Sequence, residues 1–358
     1  MSIFDHRKAI DKLDAHIIRL LNERTRHVLR IGAIKVQSGE AIYVPHRERA
    51  VLRRIVKLNQ GPIKDDSLRA IYREIMSSAL SLEKSMTIAY LGPEATFTHQ
   101  AAVQRFGSSL RYAAQKTIAD IFTEVGKNRA DYGVVPVENS TEGVVTHTLD
   151  MFIESNLRIV AQIVLPVQFC LAGEGRLKDV QRLYGHPQAL AQCRLWIQRN
   201  LPRAEILETS SNARSAELTK QADKTLRGKT AAITGLLAAE KYSLKIIERN
   251  IQDFTENATR FLVLGRQCGP ATGRDRTSLM FSIADKAGAL YHALSPFRRY
   301  KLNMTKIESR PSKRKAWEYF FFVDCDGHYS DPKVAKAIAG LEEACNFVKV
   351  LGSYPDGD

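Results

Sequence analysis

The stretch SIFDHRKAIDKLDAHIIRLLNERTRHVLRIGAIKV, residues 2–36, has no proline and one glycine, Gly32. Apolar residues recur in it at helical spacing: Ile10, Leu13, Ile17, Leu20, Leu21, Val28 and Ile31. At about 100° per residue, Arg24 and Lys35 fall in the middle of that stripe and Arg7 on its edge. Arg19, Arg26 and Arg30 fall on the opposite face, where a helix normally keeps its charges. A cation buried without a partner costs several kcal/mol, so something anionic should meet the inward three. Two readings fit. One is a set of internal ion pairs, or long stems reaching past the core to water. The other is a pocket for a small polyanion such as a dicarboxylate.

Beyond that helix, Gly39 to Val44 read as a loop, and Pro45 suits the first residue of a second helix. Val51, Leu52, Ile55 and Val56 form its stripe, with Glu48 in the centre. Asn59-Gln60-Gly61-Pro62 stops it, and a third helix runs from about Asp66 to Lys84. The first helix would be about 50 Å long. Three helices of such unequal length cannot cover one another in a monomer, so the pattern predicts an intertwined helical dimer.

At Met86-Thr87 the period changes. Ile88 to Leu91 reads as a strand, Gly92-Pro93-Glu94 as a turn, and a helix starts near Thr98. Strand-like runs (132–137, 158–167, 183–184, 231–233, 261–264) then alternate with helical ones (118–125, 189–199, 213–221). That is an α/β pattern, long enough for two lobes with a cleft between them. Cys268-Gly269-Pro270-Ala271-Thr272-Gly273 reads as a linker. The remainder runs strand 278–283, helix 290–297, strand 306–308, strand 317–323, helix 333–339, strand 347–352. This βαββαβ order is the ferredoxin-like pattern. The expected domains are therefore 1–86, 87–267 and 277–354.

Composition narrows the function. The 358 residues carry a formal charge of +14, and residues 1–86 hold 17 Lys/Arg against 10 Asp/Glu. With no long basic tract or interleaved aromatic motif, a diffuse excess favours acidic small substrates over nucleic acid. A helix-turn-helix needs short helices and an outward basic face, whereas this first helix is long and its key cations point inward. Five scattered cysteines without paired spacing fit free thiols in a reducing cytoplasm, and neither a zinc site nor a disulfide framework. No apolar run is long enough for a membrane span, and no targeting segment is expected before the charged helix. Motifs for a nucleotide or metal cofactor are lacking.

Taken in order, the segments resemble the bifunctional chorismate mutase/prephenate dehydratase family over nearly the whole length. The helical segment is similar to the all-α chorismate mutase, an intertwined dimer. The resemblance implies that Arg7 (from the partner subunit), Arg24 and Lys35 hold the carboxylates and ether oxygen of chorismate. It also implies that Glu48 receives the ring hydroxyl and that Glu83 stands at a Gln/Glu position facing the ether oxygen. Val44 and Ala79 fall at pocket positions that are often polar in the family. The rearrangement of chorismate to prephenate needs no nucleophile. It needs a folded substrate and cations facing the charge that builds on the ether oxygen.

Four further blocks resemble prephenate dehydratase signatures: Gly92-Pro93-Glu94-Ala95-Thr96-Phe97; Val135-Pro136-Val137-Glu138-Asn139-Ser140 with Glu142-Gly143; Gly185-His186-Pro187-Gln188; and Thr259-Arg260-Phe261. The implied fold is a two-lobed α/β domain like a periplasmic binding protein. Thr259 is then the donor to the departing ring hydroxyl, or the residue that orients that donor. Asn139, Ser140, Gln188, Arg260 and Phe261 would surround prephenate, with Arg260 or neighbouring backbone N–H groups holding a carboxylate. Taken alone, Asn139-Ser140 also reads as a helix cap and His186 as a turn residue. Ala95 replaces a usual glycine, a strain if its φ is positive, and Gly185 replaces a usual serine.

Gly288-Ala289-Leu290 and Glu308-Ser309-Arg310-Pro311 resemble the phenylalanine-binding motifs of an ACT regulatory domain of α+β ferredoxin-like fold. The whole implies an enzyme of phenylalanine biosynthesis that acts on chorismate and then prephenate. Phenylalanine would be its inhibitor, and the protein a homodimer or higher homo-oligomer without cofactor or metal.

Overall fold

The computed structural model describes residues 2–38, 45–312 and 319–356. Val44 and Trp317, used above, lie outside the described residues.

The chain forms two compact units, Met1–Thr87 with Arg105–Arg111, and Ile88–Gln104 with Tyr112–Asp358. The first holds α1 (Ile3–Ser38), α2 (Pro45–Leu58) and α3 (Asp65–Glu83). At the start of α1, Asp5 Oδ2 accepts from the Ser2 backbone N–H at 2.7 Å, and Ser2 Oγ accepts from the Asp5 N–H at 3.2 Å. That reciprocal pair satisfies donors the helix would otherwise leave open. After α2, the Asn59 side chain donates to Ile63 O (2.8 Å) and Asp65 Oδ1 (2.6 Å), making the stop that the Asn-Gln-Gly-Pro run predicts. α3 packs on α1 and α2. Much of the apolar stripe of α1 is open, with Ile10 53% and Leu13 61% exposed.

The second unit begins with one α/β lobe: β1 (Thr87–Leu91), α4 (Phe97–Phe106), β2 (Arg111–Gln115), α5 (Ile118–Gly126), β3 (Tyr132–Asn139), β4 (Gly143–Val144), α6 (Thr146–Glu154) and β5 (Arg158–Pro166). A second lobe follows: β6 (Cys170–Gly173), β7 (Arg182–Gly185), α7 (Pro187–Gln192), α8 (Arg194–Asn200), β8 (Glu205–Glu208), α9 (Asn212–Lys220), β9 (Thr230–Thr234), α10 (Leu236–Lys241) and β10 (Lys245–Arg249). β11 (Ala258–Gly265) then returns to the first lobe, between β3 and β5. The sheets run β2-β1-β3-β11-β5 and β10-β6-β9-β7-β8. The chain thus crosses between lobes twice, the plan of periplasmic binding proteins.

One helix expected at 189–199 is two. It breaks at Cys193, where the Asp253 carboxylate accepts from the N–H groups of Leu195 (2.9 Å) and Trp196 (3.1 Å) and so starts a new helix.

The C-terminal part comprises β12 (Asp275–Ser282), α11 (Ala289–Arg299), β13 (Met304–Pro311), β14 (Tyr319–Asp326), α12 (Pro332–Ala344) and β15 (Phe347–Pro355). Its antiparallel sheet has the order β13-β14-β12-β15, the ferredoxin-like arrangement. Although Cys268–Gly273 reads as a linker, the residues on its two sides share one core. Met280, Phe320, Phe322, Leu351 and Tyr354 pack with Phe152, Ile159 and Leu262 of the first lobe. Gly352 makes this possible, since a Cβ there would overlap the Ile159 carbonyl. The Lys349 ammonium closes the seam by donating to Phe152 O (3.0 Å) and Ser155 O (2.7 Å) at the end of α6.

Candidate functional site

Within the helical unit, Arg24 and Lys35 are half-buried, whereas Arg7, Arg19, Arg26 and Arg30 are exposed. One guanidinium nitrogen of Arg24, Nη1, is buried without a hydrogen-bond partner, as is Glu83 Oε2. Burial raises the pKa of Glu83, and the charge of Lys35 works in the opposite direction. Gly32 lets α3 come this close: a Cβ there would sit 2.9 Å from Glu83 Cγ. Glu48 lies 3.4 Å from Arg105 in a largely buried pair. Ala79 is buried. Arg7 precedes Arg24 by 17 residues on one helix, a rise of about 25 Å. The two therefore do not line one pocket within a single chain.

In the second unit, β11 and β3 bring Thr259 opposite Asn139 and Arg260 opposite Glu138. Strand side chains alternate, so these pairs leave opposite faces. On one face, Asn139 Nδ2 donates to Thr259 Oγ1 at 2.8 Å and to Asn257 Oδ1 at 3.0 Å. Asn139 Oδ1 accepts from the N–H groups of Thr141 (3.0 Å) and Glu142 (3.1 Å) and from Thr141 Oγ1 (2.6 Å). Gln192 of the second lobe reaches this cluster. Its Nε2 donates to Thr141 Oγ1 (3.0 Å) and Glu142 Oε1 (3.1 Å), and its Oε1 accepts from Asn257 Nδ2 (2.7 Å). The cluster sits where the lobes meet. Gln188, exposed, lies one turn before Gln192 on α7, whose first turn is capped by His186.

Arg260 looks the other way. Its Nη1 is 2.7 Å from Asp324 Oδ2, its Nη2 donates to the Tyr354 hydroxyl at 2.9 Å, and its Nε donates to Gln162 Oε1 at 2.9 Å. Burial opposes its charge, but Tyr354, Asp324 and Glu138 outweigh that and raise its pKa. Lys306 of β13 lies 2.7 Å from Glu138, and Arg310 holds Asp150 of α6 through two bonds of 3.1 and 3.2 Å. Arg260 thus ties the first-lobe sheet to the C-terminal domain. Arg310, expected in a phenylalanine motif, ties that domain to α6. Ser140 is spent locally, donating to Glu256 O (3.1 Å) and accepting from Ala258 N–H (3.0 Å). Phe261 is 1% exposed, in the core.

Lys306, Glu308 and Arg310 share one face of β13, and all three are half-buried, while Ser309 and Pro311 are exposed. Gly288 caps α11 with φ 78°, a conformation that favours glycine, and Ala289 is buried behind it with Leu290 half-buried. Ala95 also has a positive φ, 67°, held by its N–H donating to His99 Nδ1 at 3.1 Å. For a non-glycine residue this costs on the order of 1 kcal/mol. A Cβ at Gly185 would come within 2.7 Å of Leu190, whose side chain fills the space a serine would use.

Asn257, Gln192, Asp324 and Tyr354 were not singled out by the sequence. The signal for Asn257 was its place two residues before Thr259, the spacing that shares a strand face. Among the described residues no group of three or more His, Cys, Asp and Glu is placed to hold a metal ion, and no helix is long and apolar enough to cross a membrane.

Fold and site together define a multidomain enzyme: a helical unit with inward cations, a two-lobed α/β domain with a polar cluster between its lobes, and a ferredoxin-like domain wired to that cluster's reverse face. Family models match in the same order: chorismate mutase type II over residues 6–84, prephenate dehydratase over 88–269, and the ACT domain over 277–343. A bifunctional chorismate mutase/prephenate dehydratase of Aquifex aeolicus (strain VF5) is 48% identical over 354 residues, covering 98% of this chain and 96% of that protein. One from Neisseria gonorrhoeae (strain ATCC 700825 / FA 1090) is 46% identical over 355 residues, 99% of this chain and 97% of that protein. Among solved structures, prephenate dehydratase from Arthrobacter aurescens in complex with L-Phe superposes with a TM-score of 0.70 at 34% identity, covering 76% of this chain and 90% of that one. The chain belongs to the bifunctional chorismate mutase/prephenate dehydratase family.

Proposed function

We propose that the helical unit rearranges chorismate to prephenate and that the two-lobed domain converts prephenate to phenylpyruvate in the cytoplasm, under feedback inhibition by phenylalanine at the C-terminal domain. The observation that carries the second step is the Asn139–Thr259 hydrogen bond where the lobes meet. Thr259 Oγ1 accepts there, which leaves its hydrogen for the ring hydroxyl of prephenate. As the ring carboxylate leaves as carbon dioxide, its bonding electrons enter the ring and the hydroxyl departs as hydroxide, hydrogen-bonded by Thr259 and protonated to water by solvent. The donor eases that departure, and aromatisation drives it. Gln188, one turn from Gln192, suits a contact to the substrate.

In the first step Arg24 and Lys35 clamp the carboxylates and face the ether oxygen, and Glu48 receives the ring hydroxyl. The partnerless Arg24 nitrogen and Glu83 oxygen each support a polar ligand in this unit. The open stripe of α1 and the separation of Arg7 from Arg24 support a dimer in which the partner subunit completes the pocket. Phenylalanine would bind near Gly288–Leu290 and Glu308 of a domain joined to Glu138, Asp150 and Arg260.

One assay tests this reading. Purified protein given chorismate should yield phenylpyruvate with prephenate as the intermediate, and phenylalanine should suppress the second step. Absence of either conversion in folded protein would overturn it.

A further inference from the structure

We propose that Asn257 is a positioning residue of the dehydratase site, whose buried amide orients Asn139 and through it holds the Thr259 hydroxyl as a donor. This rests on the reading of Thr259 above.

A carboxamide has a donor end and an acceptor end of nearly equal shape, so its neighbours decide which end faces where. Asn139 Oδ1 meets three donors, and its Nδ2 meets the oxygens of Asn257, Thr259 and, at 3.3 Å, Ala258. Turning this amide over would set N–H against N–H. Asn257 is oriented in the same way. Its Nδ2 donates to Gln192 Oε1, and Gln192 is itself anchored by donating to Thr141 and Glu142. Donation therefore runs in one direction, from Asn257 to Gln192 and from Asn139 to both Asn257 and Thr259.

Asn257 takes one of the two Asn139 Nδ2 hydrogens and thereby aims the other at Thr259 Oγ1. With that oxygen accepting, the Thr259 hydrogen is turned away from Asn139. Without the Asn257 oxygen, the Asn139 amide is free to swing toward Ala258 O, and the Thr259 hydroxyl is released to rotate. Asn257 is 3% exposed, so it acts through Asn139 rather than by touching substrate. Its backbone carbonyl accepts from Val167 N–H at 2.8 Å, an anchor that side-chain variants retain.

The test measures dehydratase kcat and KM on supplied prephenate, with mutase activity and melting temperature of the same chain as folding controls. Loss of one oriented hydrogen bond corresponds to about tenfold in rate. Asn257→Leu should lower kcat by about that factor or more and leave KM within about twofold. Asn257→Asp, which keeps an oxygen facing Asn139 but loses the donor to Gln192, should recover part of the loss. In a Thr259→Ala chain, adding Asn257→Leu should change the residual rate by less than about twofold, because the two act as one unit. Wild-type kcat in Asn257→Leu, or multiplied losses in the double variant, would overturn the proposal. If Asn257→Leu melts too early to assay, Asn257→Asp decides: a fall in kcat with KM within about twofold supports the proposal, and wild-type kcat or a loss dominated by KM overturns it. Failure of the underlying reading has a separate signature, a Thr259→Ala chain with an undiminished dehydratase rate.

Discussion

Thr259 and Arg260 are consecutive on β11, yet Thr259 Oγ1 lies 2.8 Å from Asn139 Nδ2 on one face and the Arg260 guanidinium lies 2.7 Å from Asp324 on the other. A shift of this strand pair cannot occur on one face alone. Glu138 and Asn139 repeat the arrangement on β3, with Lys306 behind and Thr259 in front. The C-terminal domain therefore grips the same two strands that carry the proposed chemistry. An event in one domain would reach the other through this contact if the two are coupled.

Asp324→Asn tests that route. Arg260 and Asp324 are 13% and 10% exposed, and removing one partner of a buried pair costs about 3–5 kcal/mol. The variant should melt earlier and be inhibited less by phenylalanine, with a smaller change in dehydratase kcat. The check is inhibition curves beside melting curves. Unchanged inhibition in folded protein would show that coupling runs elsewhere.

With Glu83 as the donor, the mutase should be pH-dependent. A carboxylate cannot donate to the ether oxygen, whereas the protonated acid can. Burial raises the Glu83 pKa, with Lys35 opposing, so the donating form persists to higher pH than for a free carboxyl. The mutase rate should therefore be highest in mild acid and fall as pH rises through the raised pKa. Glu83→Gln should flatten the profile and keep its rate above neutrality. A flat wild-type profile would remove Glu83 from the donor role.

Gly185 and Leu190 share one space. Gly185→Ser should destabilise the protein by about 1–3 kcal/mol, the usual cost of overpacking. Leu190→Ala in the same chain should recover part of that loss, since the clash is with the Leu190 side chain. Melting temperatures of the single and double variants check this. Additive losses would show that the two positions do not interact.

Much of this was legible because pattern and period are local. The three helices, the βαββαβ order and the strands expected from 132, 158 and 261 follow from spacing, caps and turn residues, although the last begins three residues earlier, at Ala258. What sequence could not resolve is which face a side chain takes once strands pair. Thr259, Arg260 and Phe261 form one motif on the page, but pairing sends Thr259 to the lobe junction, Arg260 to Asp324 and Phe261 into the core. Ser140 is likewise consumed by the Ala258 backbone, a partner 118 residues away. The break at Cys193 depends on Asp253, equally remote in sequence.

A mutase pocket completed by the partner subunit predicts complementation. Arg7→Ala and Arg24→Ala chains should each lack mutase activity. Mixed subunits should recover part of it, because a hybrid dimer carries one pocket with both arginines. The measurement is mutase rate after verified subunit exchange. No recovery would mean that each pocket draws on one chain.

Assaying both activities on purified Thr259→Ala protein tests whether one chain carries two separate active sites with Thr259 the donor of the second. The account predicts loss of dehydratase activity by about 10²–10⁴-fold, the usual contribution of a positioned proton donor, with mutase activity unchanged. Thr259→Ser should retain a measurable part. A Thr259→Ala chain that still converts prephenate at the wild-type rate, or one that stays folded yet loses both activities, would contradict it.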